Sequence, residues 1–115
     1  MSATLAPDPL AVRASRDFIS RIAGQYPVVQ ALLFGSRARG DARGDSDVDI
    51  AVILDAPEAG MPRASVDMAS DAFDVMLDTG LVLAPLAISR RDWLDPAQHS
   101  NPFLIRNILR EGVVL

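Results

Sequence analysis

The apolar positions of this chain keep one rhythm early and a different one in the middle. Leu10, Ala14, Phe18 and Ile22 recur at helical spacing, with Ala11, Ile19 and Ala23 beside them. Asp8-Pro9 offers an N-cap followed by a proline at the first helical position. Together these predict a helix from Pro9 to about Gln25, ended by Tyr26-Pro27. Val28 to Phe34 then reads as a short, largely buried strand closed by Gly35. From Asp47 to Leu54 the pattern alternates. Val48, Ile50, Val52 and Leu54 take one face; Asp47, Asp49, Ala51 and Ile53 take the other. This is the pattern of a strand with one well-buried face, and it aims both carboxylates the same way.

Asp55 to Arg63, with Pro57, Gly60 and Pro62, reads as a loop. Ser65 is placed to cap a helix with an apolar stripe of Val66, Ala69, Phe73, Met76 and Leu77, and Gly80 stands at its C-terminal cap. Asp67, Asp71, Asp74 and Asp78 line the side of that helix roughly opposite the apolar stripe, as a solvated face. Leu81 to Ser89 is a third strand, with Pro85 marking an edge position or a bulge. Ser89 and Asp92 frame a capping box for a short turn carrying Trp93 and Leu94. Asn101-Pro102 begins a last helix that Gly112 ends, and Val113 to Leu115 is expected to pack down. The order helix, strand, strand, helix, strand, helix predicts an α/β (α+β) fold, a small mixed sheet with helices packed on one face. One domain is expected over residues 9–115, behind a flexible tail at 1–8.

Composition narrows the function classes. The chain has 115 residues, half of them hydrophobic, which suits one globular domain with a real core. With no cysteine there is neither a disulfide framework nor a thiolate metal site. The lone His99 has no second histidine beside which to hold zinc and reads as a surface residue. No run approaches the roughly 20 apolar residues that span a bilayer. No basic stretch precedes an apolar one at the start, so a cytoplasmic location is expected. A net charge of −4 argues against sequence-independent nucleic-acid binding. All 11 basic residues are arginine, which suits bidentate phosphate contacts.

The densest chemistry lies between Gly35 and Asp49. A Gly-Ser pair, ten intervening residues and an Asp-x-Asp pair come directly after an apolar strand. Gly35 lets a backbone approach phosphate oxygens, and Ser36 brings a hydroxyl and an N–H to a helix start. Arg37 and Arg39 add positive charge beside them. Asp47 and Asp49 form a two-carboxylate clamp, and Mg²⁺ typically takes one or two carboxylates plus substrate phosphates. The two halves together describe a nucleoside triphosphate held with a metal.

The run GSRARGDARGDSDVDIAV resembles the GSx10DxD signature of the polymerase-β-type nucleotidyltransferases in their minimal, single-domain form. Arg39-Gly40 and Ser46-Asp47 match the flanking GSxxRG and SDxD forms, and a weaker likeness runs through Thr79-Gly80 to the ending Asn101-Pro102-Phe103…Arg110-Glu111-Gly112. The resemblance implies that Gly35, Ser36 and Arg39 hold the nucleotide and that Asp47 and Asp49 bind Mg²⁺ and carry catalysis. The implied reaction is transfer of a nucleoside monophosphate, AMP from ATP, to an acceptor hydroxyl. Such minimal domains are similar to the antitoxins of two-gene modules, whose partner is a helical HEPN-type toxin; a hetero-oligomer is implied with it. Active members of the family carry a third carboxylate on the strand after the middle helix, and here that strand has no acid. An alternative therefore stands beside transfer, in which the chain neutralises its partner by contact alone.

Overall fold

Asp8 Oδ1 accepts a hydrogen bond from the Leu10 N–H at 3.0 Å, and Pro9 opens the first turn of α1 (Pro9–Ile22) where the sequence placed it. The computed structural model describes residues 5–115. After α1 come β1 (Val28–Phe34), α2 (Ser36–Arg39), β2 (Val48–Leu54), α3 (Met61–Asp67) and α4 (Ala69–Thr79). β3 (Leu83–Ser89), α5 (Arg90–Leu94), α6 (Pro102–Glu111) and β4 (Val113–Val114) complete the order. Residues 1–4 of the expected tail lie outside the described residues. Next to them, Asp8 is laid against α2, its N–H donating to the Arg37 carbonyl at 2.9 Å.

The four strands form one mixed sheet in the order β3-β2-β1-β4. β1 pairs antiparallel with β2, Phe34 opposite Asp49, and β2 pairs parallel with β3, Asp49 beside Ala84. β3 is an edge strand, which accommodates Pro85 in the way its position suggested. Val113 and Val114 pack down as an added strand on the other edge, pairing with Leu33 and Leu32 of β1.

The sheet is covered on both faces, which corrects the expectation of helices on one. Ile50, Val52 and Leu54 of β2 join Phe18 and Ile22 of α1 and Met68 and Val75 of the middle helices. On the opposite face Ala51 and Ile53 join Leu32, Ile88 and Ile105 and Ile108 of α6. Ala51 and Ile53 are fully buried, so the second face of β2 is as much core as the first. Burying a side chain such as that of Ile53 contributes about 1.5–3 kcal/mol, a gain that an uncovered second face would forgo.

The middle helix also differs. It begins at Met61, earlier than expected, and is divided at Met68 into α3 and α4. Ser65 is not its cap: the hydroxyl donates to the Met61 carbonyl at 3.0 Å and accepts from the Ala87 N–H at 2.9 Å, joining the helix to β3. The buried side is Met61, Ala64, Met68, Ala72 and Val75. The apolar stripe read from the sequence faces outward instead, with Val66, Phe73 and Leu77 all more than half exposed.

Candidate functional site

Gly35 ends β1 with φ 74° and ψ −158°, a backbone conformation essentially confined to glycine. It turns the chain into the four-residue α2, where the Ala38 and Arg39 N–H groups both donate to the Gly35 carbonyl. The N–H groups of Ser36 and Arg37 at the head of this turn have no acceptor within it, as at any helix start. Gly40 closes the turn at φ 82°, and a Cβ there would meet the Ala6 carbonyl.

Antiparallel pairing of Phe34 with Asp49 brings the end of β1 beside the start of β2. A Cβ built on Gly35 would fall on Asp49 Oδ2. The glycine is thus required twice, by its backbone angles and by the carboxylate against it. Asp49 is half-buried, and Asp47 is exposed immediately before β2. Burial pushes the Asp49 carboxyl above its ordinary value, the Asp47 charge pushes it further, and Arg39 draws it back in part. A carboxylate whose ionisation is opposed by burial and by a neighbouring charge is a donor that a hard divalent cation relieves, and Mg²⁺ with its preference for carboxylate and phosphate oxygens fits the pair. Asp47 and Asp49 would hold it, beside the backbone turn at Gly35-Ser36.

The two arginines of α2 divide their work. Arg37 is buried, and its guanidinium donates to the Ser46 carbonyl at 2.9 and 3.2 Å, to the Gly44 carbonyl at 3.2 Å and to Asp8 Oδ2 at 2.6 Å. Its expected charge beside the phosphates is therefore spent on holding the loop that leads into Asp47. Burial raises the Asp8 carboxyl, but the Arg37 hydrogen bond and the Leu10 N–H outweigh it and hold Asp8 below the usual range. Arg39 is the exposed member, pairing with Asp41 at 3.3 Å and with Glu111 of α6 at 3.4 Å. Of the two arginines of α2, it is the one at the surface.

Sequence reasoning missed Glu111 and the second role of Asp8, because nothing local marks a partner 72 or 29 positions away. The acid-free third strand is given a location: in the parallel register the residue beside Asp49 is Ala84. Among the described residues no group of three potential metal ligands is found. Asp78 pairs with Arg21 at 2.7 Å, and α4, which carries Asp74 and Asp78, packs on the sheet face opposite to Asp49. No helix is long and apolar enough to cross a membrane among the described residues.

Comparisons with known proteins bear on the family and the fold. A family model described as "Polymerase beta, Nucleotidyltransferase" matches residues 18–115. The fold is similar to that of a Sulfolobus solfataricus protein provisionally described as a nucleotidyltransferase, with a TM-score of 0.52 and 17% identity. That match covers 91% of this chain and 81% of the other. No curated protein matches the sequence.

Proposed function

This chain belongs to the polymerase-β nucleotidyltransferase family, and on that footing we propose that it is a Mg²⁺-dependent enzyme that moves AMP from ATP to a hydroxyl of a partner protein. The observation that carries the reading is the approach of Gly35 to Asp49, which sets the head of the α2 turn against a half-buried carboxylate. Gly35 and Ser36 would present the turn to the triphosphate, with Arg39 exchanging its carboxylate partners for phosphate oxygens. Asp47 and Asp49 would hold Mg²⁺, which when bound neutralises the phosphates and the departing pyrophosphate. In the transfer the acceptor oxygen forms a bond to the α-phosphorus, the bond from that phosphorus to the bridging oxygen of pyrophosphate breaks, and the acceptor gives up its proton.

A protein acceptor fits this chain better than a nucleic acid, because the net charge is −4 and Arg37 is withdrawn from the surface. The partner would be a small helical HEPN-type toxin and the chain its cytoplasmic antitoxin. A second reading is favoured by Ala84, which stands beside Asp49 on a strand that carries no acid. In it the domain binds nucleotide and silences its partner by contact alone.

Labelled ATP, Mg²⁺ and the co-purified partner separate the two, run beside Asp47→Asn/Asp49→Asn. Covalent label on the partner that disappears in the variant supports transfer. Neutralisation without label, persisting in the variant, supports contact alone.

A further inference from the structure

The α3–α4 segment has three sides where a surface helix has two. Ala64, Met68, Ala72 and Val75 face the core. Val66, Phe73 and Leu77 are 69%, 54% and 67% exposed, and beside them Phe73 and Met76 form one wall of a groove of about 150 Å³ closed by Val82 and Leu83. The third side is Asp67, Asp71, Asp74 and Asp78. Asp67 and Asp78 pair only with this chain's Arg63 and Arg21, and Asp71 and Asp74 make no ion pair among the described residues.

We propose that this outward apolar face and its acidic margin dock a cationic protein partner, an amphipathic segment whose apolar row is flanked by Arg or Lys. Charge selects the occupant. A row of carboxylates along one side of an apolar stripe repels an acidic surface and attracts a basic one. A second copy of this chain, itself at −4, would bring the same acidic row against its like in antiparallel helix pairing. One residue lining the groove adjoins the start of β2. The Val82 carbonyl accepts the N–H of Val48 at 2.8 Å, and Val48 is the residue between the two aspartates. A partner seated against Val82 would therefore stand at the end of the sheet that carries Asp47 and Asp49. The inference deepens the reading of a protein acceptor and rests on it for any transfer to the docked partner, although docking itself needs no nucleotide.

The test uses a fluorescein-labelled helical peptide with a leucine row flanked by arginines, and a second peptide with glutamates in their place. Fluorescence anisotropy is measured with the full chain without nucleotide. The basic peptide should bind and the acidic one should not. Phe73→Ser/Leu77→Ser and, separately, Asp71→Asn/Asp74→Asn should each weaken binding by about tenfold or more. All four side chains lie outside the core, and circular dichroism would check that both variants keep the native fold. Binding that is absent, or unchanged in both variants, overturns the proposal. So does a dimer in sedimentation that Phe73→Ser/Leu77→Ser dissolves, because a second copy would then be the occupant. Asp49→Asn should leave peptide binding intact. Absence of transfer by the unsubstituted chain, with docking observed, would count against the enzyme reading alone, and transfer to the partner undiminished by Phe73→Ser/Leu77→Ser would count against the docking face alone.

Discussion

Gly35 and Asp49 occupy space that one methyl group would close, since a Cβ on the glycine would fall on the carboxylate oxygen of the aspartate. Gly35→Ala therefore meets two obstacles, a backbone region that alanine avoids and a charged neighbour that must move. The strained backbone alone is expected to cost about 1–3 kcal/mol of stability. ATP affinity in the presence of Mg²⁺ should fall as well, because Asp49 is displaced from the turn. Chemical denaturation and calorimetric titration would measure the two effects, and a variant with native values in both would remove the close approach as a requirement.

The Asp49 carboxyl titrates above its ordinary value of 3.8 because of burial first and the Asp47 charge second. Linkage sets the sign. Below 3.8 the group is protonated in folded and unfolded chains alike, and its contribution to stability is fully present. As pH rises through the folded value, the unfolded chain has already ionised and the native state loses that contribution. Asp49→Asn should thus raise the Tm of the metal-free protein at neutral pH, with the advantage vanishing in acid. Mg²⁺ should stabilise the native chain more at neutral pH than in acid and should do little for the variant. Thermal melts across a pH series, with EDTA or with Mg²⁺, would decide this; a variant less stable than the parent at neutral pH without metal contradicts it.

Arg37 is a structural cation. Removing it in Arg37→Ala leaves the Ser46 and Gly44 carbonyls without their donor and Asp8 without its counter-charge. Leaving part-buried acceptors without their donor is expected to cost about 1–3 kcal/mol. Arg37→Lys should recover only part, since an ammonium cannot span three acceptors with a planar fork. Urea unfolding of both variants would show the order. Equal loss in Arg37→Ala and Arg39→Ala would mean that burial does not distinguish the two arginines.

The register of β2 and β3 invites a gain of function. Ala84→Asp places a carboxylate beside Asp49 on the neighbouring strand. The variant should bind Mg²⁺ more tightly and label the partner faster, while being less stable than the parent when metal is withheld, because three like charges then meet. Metal titration by calorimetry and single-turnover labelling would test this. Unchanged metal affinity would mean that Ala84 does not face the clamp.

What the sequence made legible was local. The Asp8 cap, the Gly35 stop, the Ser89–Asp92 cap and the Asn101 cap are each decided within a few residues, and the hydrogen bonds Asp92 N–H to Ser89 and Leu104 N–H to Asn101 are present. The Gly35–Asp49 signature was legible for the same reason, although the close approach of its two ends depends on strand pairing. The faces of α4 were not. Phe73 and Val75 sit on different sides of the helix, and a 3.6-residue period says that a stripe exists without saying which stripe meets the sheet. The second face of β2 was hidden as well, because Ala51 and Ile53 needed a cover, α6, that lies half the chain away. Arg37 and Arg39 look alike in sequence, and only the loop folding back over one of them sets them apart.

Asp8 grips α2 from one direction through Arg37, and Glu111 reaches it from the other through Arg39. The α2 turn therefore meets two partners 29 and 72 residues away, the second far slower to find than any neighbouring turn. During synthesis the sheet's first hairpin can form long before Glu111 emerges, so a nascent chain would hold β1 and β2 paired while Arg39 still lacked its α6 tether. The turn would take its final form as one of the last events of folding.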